Sequence, residues 1–407
     1  MMASKLLLLN LVVPALSEIA HGVFIPSTDS FLLPSPFQGD ETVPTNGSTN
    51  FINTVTANAS TNALLDSAIN DTYYAFDEEF YDILGTKTPN IQLIETRKDL
   101  FAYEAGAWDY DKNQVWFSSC VISHPTYISI LDLNTNDITT LDIPALYNIN
   151  PNGGYYFNGT MYFTTVGNES VPNGVYAINT ETYKATPIIN SFYGEKYQSV
   201  DDLTWVKQGS ESCVDTGPNL FFSTLDVRLF GVYGAAPLML QDWVYRYSPK
   251  TRTVQGAISR SDIVSPNGVR RDATGRYLYV TGLAAPFAPT GSQGNQFNSS
   301  VVYRFTLDED CVPIEKRLVA MVPSYADGLH IDDFGRIWTG EWEGITVRSP
   351  SGKVLGVFNR EALVTGVGLP PMANFSITGD KLVILALDRV FVLQLGQNVT
   401  SAKAGTQ

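Results

Sequence analysis

The sequence predicts an all-β protein, a six-bladed β-propeller with four-stranded antiparallel blades, and three observations carry that prediction. The stretch 325–358 holds four short strand-like runs, at 328–331, 336–341, 345–348 and 353–358. They are separated by the turn-forming sequences Asp332-Asp333-Phe334-Gly335 and Ser349-Pro350-Ser351-Gly352. Within the third run Ile345 and Val347 alternate with Thr346 and Arg348, the period of a strand and not of a helix. The same plan recurs from Glu104, Asn152, Asp201, Asn267, Asp327 and Ala373: a small or acidic residue, a hydrophobic strand, a turn, then an aromatic-rich strand. Its spacing of roughly 45–65 residues is that of propeller blades carrying loop insertions. Finally, 407 residues is long for an ordinary domain but suits repeated sheets, each marginal alone and stable when stacked.

From the N-terminus, Lys5 precedes an apolar run at 6–16, and small residues follow at Ala15, Ser17, Ala20 and Gly22. This is the layout of a secretory signal peptide over 1–22, too short to span a bilayer, and no later run is long enough. A secreted or endomembrane-lumen location is the expectation. Residues 23–71 are rich in Thr, Ser, Asn and Pro and read as a flexible, glycosylated arm. Acceptor sequons occur at Asn46, Asn58, Asn70, Asn158, Asn168, Asn298, Asn374 and Asn398. The propeller is expected over 72–396. Its aromatic, acidic start at 72–85 reads as a short helix or turn beneath the first blade. An isolated strand at 91–95 precedes the first repeat, and the last repeat, 373–395, has three strands. The N-terminal strand is therefore expected to complete the last blade and close the ring. Residues 397–407 form a polar tail, expected to fray. Of Cys120, Cys213 and Cys311 any two can pair in an oxidising compartment, and all three can equally be buried small residues.

The formal net charge of −15 argues against a nucleic acid or an anionic membrane as partner and is compatible with cation binding. In a propeller the starts of the innermost strands meet near the central channel. Here those positions are Glu104, Asn152, Asp201, Asn267 and Asp327, with Ala373 sixth, or Asn374 if the register slips by one. Five oxygen-bearing side chains around one axis suit a hard divalent cation, calcium first. The competing reading is that the Asx-Gly pairs only form turns. The three histidines, His21, His124 and His330, lack metalloprotease or zinc-finger spacing, and no Gly-x-Ser-x-Gly elbow occurs. His330 lies three residues beyond Asp327, as a proton shuttle or as a packed ring.

Six motifs, FDEEFYDILG (76–85), YEAGAW (103–108), NPNGG (150–154), SPNGV (265–269), ADGLHID (326–332) and SPSGKVLG (349–356), span nearly the whole chain after the arm. In their order and spacing the chain resembles the gluconolactonase and senescence-marker-protein-like superfamily of six-bladed propellers, and more closely the secreted fungal lactonohydrolases. The resemblance implies one divalent cation, commonly calcium, held by Glu104, Asn267 and Asp327, with Asp201 fourth and Asn152 on the substrate side. The family's third-blade Asn-Asp pair is Asp201-Asp202 here, an arginine that some gluconolactonases place two residues earlier is Ser199, and a fourth-blade Asp is Gly282. The implied activity is metal-dependent opening or closing of a lactone, in fungal secondary metabolism, on a small lactone or hydroxy acid. Asp327 is the candidate base, with Asp202 and His330 competing. Two alternatives stand beside it: a non-catalytic binding propeller with a structural calcium, and a strictosidine-synthase-like biosynthetic enzyme, which would lack this metal set.

Overall fold

The computed structural model describes residues 17–38, 51–120, 125–168, 170–207, 209, 212–225, 240–283, 300–323, 325–366 and 369–400. Six antiparallel sheets stand in a ring. Blade one comprises Glu104–Asp109, Gln114–Ser118, Ile128–Asp132 and Ile138–Thr140. Blade two comprises Pro151–Phe157, Thr160–Thr165, Gly174–Asn179 and Ala185–Ile189, and blade three Ser199–Val206, Asn219–Leu225, Val244–Ser248 and Thr253–Ile258. Blade four runs through Pro266–Arg271, Tyr277–Gly282, Ser300–Leu307 and Pro313–Val322, and blade five through Ala326–Ile331, Ile337–Glu341, Gly344–Arg348 and Val354–Asn359. Blade six holds Phe375–Thr378, Lys381–Ala386 and Arg389–Gln394, completed by Asn90–Thr96, which pairs Leu393 with Ile91 and Arg389 with Thr96. That closure, read from the three-stranded last repeat, covers the edge that an open ring would expose.

Each blade buries apolar residues on both faces, because it packs between two neighbours. Trp116, Phe163 and Tyr156 join the cluster between blades one and two, whereas Val115 and Phe117 pack toward blade six with Val383 and Leu385. Turn chemistry closes the hairpins: the Asp332 Oδ1 accepts from the backbone N–H of Phe334 (3.0 Å) and of Arg336 (2.8 Å). Asp109 and Asp272 do the same in blades one and four.

Several boundaries differ from the sequence reading. Part of the segment read as a flexible arm is folded: Ala59–Asn70 is a helix, capped by Asn58, whose side chain accepts from the N–H of Ser60 and Thr61. Its Leu65 and Ala68 are buried, and Ala68 packs with Ile25, Ile52, Tyr74 and Val357. Low charge and a high Ser/Thr/Asn content hid a helix whose apolar side is only a few residues wide. Tyr73–Ala75 adds to the outer strand of blade five, pairing Val357 with Tyr74, and Gly22–Phe24 lies parallel outside it. The helix Glu79–Leu84 follows, with Phe80 against Gly356; the 72–85 segment thus docks on blade five and not beneath blade one. Ser17–Ile19 pairs with Asn90–Thr96 as a fifth strand of blade six, so the leader boundary expected at residue 22 falls within folded chain. At the other end Val399 is buried, and its N–H donates to the Gly379 carbonyl at 2.9 Å. The expected fraying therefore does not extend to residues 397–400.

Cys213 and Cys311 form a disulfide, and Cys120 is buried outside that bridge. The sequon at Asn374 is not a glycan site: the residue is 1% exposed, and its Nδ2 donates to Glu104 Oε2 at 3.2 Å inside the channel. Asn158 and Asn398 are exposed, and Asn46 and Asn298 lie outside the described residues.

Candidate metal and catalytic centre at the channel mouth

The polar residues of the channel are set by a break in strand pairing. In blades one to five the innermost strand shifts register against its neighbour, at Glu104/Ala107, Pro151/Gly154, Val200/Leu203, Pro266/Val269 and Ala326/Leu329. A bulge turns a side chain away from the face its alternation would give it. Asn152, Asp201, Asn267 and Asp327 lie within these bulges and Glu104 borders its own, all of them buried. The glycines after Asn152 and Asn267 are required by close approach: a Cβ on Gly153 would stand 2.5 Å from the Asp201 carbonyl oxygen, and one on Gly268 2.6 Å from that of Asp327. Neither adopts a positive φ, so these pairs bring blades together and do not form turns.

Hydroxyls on the second strands hold the carbonyls of the next blade. Ser118 Oγ donates to the Asn152 carbonyl (2.9 Å), Thr164 Oγ1 to that of Asp201 (2.6 Å) and Thr281 Oγ1 to that of Asp327 (2.7 Å). Ser223 does the same for Asn267. Each rung fixes the backbone from which one channel side chain projects. Sequence reasoning missed these rungs, although Ser or Thr recurs in the second strand of the first five blades.

The structure brings Glu104, Asn267 and Asp327 together. Asp327 lies beside both and beside Tyr325, yet its Oδ1 is buried without a hydrogen-bond partner. Burial pushes the Asp327 carboxyl up to about 7, the neighbouring Asp202 charge adds to that, and the bonds from Tyr325, Asn267 and Glu104 oppose it. Glu104 is raised well above the usual carboxylate range, first by burial, then by the charges of Asp327 and Asp201. Tyr103 and Tyr325 complete this environment, their phenols pushed up by burial and then by the adjacent acids. Neither tyrosine was singled out from sequence, since each looks like one more apolar strand residue.

Other expected site residues have different partners. Among the described residues no group of three or more His, Cys, Asp or Glu side chains is arranged to hold a metal. The converging set is two carboxylates and an amide; Asp201 lies close enough for its charge to act on Glu104, and its Oδ1 accepts from Asn152 Nδ2 at 3.0 Å. Asn152 is thereby engaged with Asp201, although it remains on the ring. Asp202 is a poor base, because Arg270 Nη1 contacts its Oδ1 and Oδ2 at 2.8 and 2.7 Å and the Val269 N–H donates to Oδ2 at 3.0 Å. Arg270 also donates to the carbonyls of Leu203 (2.7 Å) and Gly154 (3.3 Å), joining blades two, three and four as a floor below the ring. His330 lies beyond that floor, on a cavity of about 130 Å³ with Trp108, Tyr155, Arg270 and Arg271. Its ring packs on Phe375 at 4.9 Å, and burial, helped by Arg270, lowers it to about 3. The ring thus faces the cavity on the far side of the floor from the three converging side chains. His124 lies outside the described residues.

The residues present fit a divalent cation. Three oxygen-bearing side chains converge, two of them acids whose charges oppose each other, and the orphaned Asp327 Oδ1 lacks a counter-charge. Comparison with known proteins agrees with the architecture. The lactonohydrolase oryH of Aspergillus oryzae is 24% identical over 359 residues, covering 69% of this chain and 76% of that protein. In sequence the chain is similar to fungal lactonohydrolases. A gluconolactonase of Xanthomonas campestris superposes with a TM-score of 0.61 at 18% identity, covering 80% of this chain and 95% of that one. A calcium-binding regucalcin of Agrobacterium tumefaciens gives 0.50 at 13% identity, over 76% and 94%. At such identities these two structures speak for the fold alone. No protein-family model matches the chain.

Proposed function

We propose that this lactonohydrolase-like propeller hydrolyses a lactone, or closes the corresponding hydroxy acid, at a divalent cation held by Glu104, Asn267 and Asp327. The observation that carries the proposal is the convergence of these three buried side chains from blades one, four and five, with Asp327 Oδ1 left unpartnered. The named activity of the Aspergillus relative supports the reaction class, and the all-oxygen donor set supports a hard cation such as calcium. When bound, the cation would supply Lewis acidity toward the lactone carbonyl and charge stabilisation of the oxyanion. Asp327 accepts a proton from the attacking water as that oxygen bonds to the carbonyl carbon. It then returns the proton to the ring oxygen as the ring C–O bond breaks. Tyr325 orients this carboxylate by hydrogen bonding, Asn152 orients Asp201, and the Arg270–Asp202 pair seals the channel beneath.

The leader-like N-terminus and the Cys213–Cys311 bridge support a secreted or lumenal location, where disulfides persist. The natural-product setting expected from the resemblance belongs to this proposal too. The test is a panel of lactones assayed with calcium, after chelation, and after calcium is restored. Loss and recovery of turnover supports the reading. Turnover that survives complete chelation removes the cation from the mechanism, and no turnover of any lactone favours a binding propeller.

A further inference from the structure

We infer that the mouth receives a lactone with an apolar body in preference to a polyhydroxylated one; the inference rests on the lactone-hydrolase reading above. The second strands of blades two, three and four lead at their mouth ends into Val166, Leu225 and Leu283, and that of blade five into Trp342. Tyr325 enters the innermost strand that carries Asp327. These five side chains form one hydrophobic cluster, in which Val166, Leu225 and Leu283 are 4%, 3% and 1% exposed. They come from four blades, so they meet at the channel mouth, where Val166, Leu225 and Leu283 each lie two residues beyond the rungs of Thr164, Ser223 and Thr281.

The collar offers little to a hydroxyl group. Val166, Leu225 and Leu283 have no polar side-chain atom, and the Tyr325 phenol is already bonded to Asp327. The Trp342 ring is held under Arg360, whose guanidinium lies 5.3 Å from its centroid and is itself anchored by Nη2 to the Leu369 carbonyl at 2.7 Å. A ligand whose carbonyl reaches Asp327 therefore places the rest of its ring and substituents against CH groups and an indole face. An alkyl or aromatic body gains by leaving water there. A polyol leaves hydroxyls unpaired. An apolar pocket rejects an added hydroxyl by about 10² in kcat/KM.

The experiment compares kcat/KM for a δ-alkyl lactone and for glucono-δ-lactone in calcium, alongside calorimetric binding of an alkyl δ-lactam and a polyhydroxylated δ-lactam. The expected result is a preference for the alkyl lactone of about 10² or more. Trp342→Ala, at a half-buried position, should reduce that preference about tenfold, and Leu283→Asn should shift it the same way if it folds. Equal rates, or preference for glucono-δ-lactone, overturn the inference and leave lactone hydrolysis standing. Tight binding of the alkyl lactam without turnover of either lactone supports the apolar collar and overturns the hydrolase reading. Stronger binding of the polyhydroxylated lactam, or binding of neither, overturns the collar.

Discussion

In the proposed mechanism Asp327 carries two duties that one substitution separates. Asp327→Asn keeps an oxygen for the cation but cannot accept a proton. At calcium concentrations that saturate both proteins, hydrolysis should fall about 10²–10⁴-fold, the usual share of general acid–base catalysis. A saturated variant with near wild-type turnover would make Asp327 a ligand only. His330 gives a second prediction, in stability. Burial lowers the folded ring to about 3 from its ordinary 6.5, so the native ring stays neutral while the unfolded chain takes up a proton below about 6.5. Its contribution is whole above that pH and is lost as pH falls toward 3. With calcium present in both samples, His330→Gln should flatten the fall in Tm between pH 7 and 4. An unchanged slope would mean that the ring is protonated in the native state. The sequence showed the ring of Asx and Glu residues because they recur at one repeat position. It did not show that Asp202 is spent on Arg270, because residue type is silent about the partner.

Glycine at the bulge is the element-level requirement that most directly shapes the site. A Cβ on Gly268 would meet the Asp327 carbonyl oxygen at 2.6 Å and Leu329 Cδ2 at 2.7 Å, and the carbonyl is rigid backbone already bonded to Thr281. Gly268→Ala should cost about 1–3 kcal/mol, the usual range for overpacking, and weaken calcium binding by displacing Asp327. Denaturant melts and calorimetry check the two effects. A variant with unchanged stability and affinity would show that the blades have slack at the axis. Strands were legible from period-two alternation, and blade five appears within a residue or two of its expected bounds. The bulges were not legible, because a register shift is a relation between two strands and leaves no mark on either alone.

At the scale of the whole ring, ties distant in sequence reinforce the contacts between neighbouring blades. Cys213 and Cys311 are 98 residues apart and join the first hairpin of blade three to the outer hairpin of blade four. Replacing both with Ser should lower unfolding stability by about 2–5 kcal/mol in a denaturant melt, chiefly by freeing the unfolded chain. A change below experimental error would show that the closed ring already restrains that segment. Composition, alternation and repeat spacing determined by themselves the strand content, the six blades, the closing N-terminal strand and the set of channel residues, since all are written in local pattern. Only the tertiary structure decided which cysteines pair, that the 59–70 segment docks as a helix, and that the Asn374 sequon points inward to Glu104, 270 residues away. It likewise set Asp202 against Arg270 across 68 residues. The reason is physical: alternation records which face of a strand is buried, whereas the partner waiting on that face is brought there only when the ring closes.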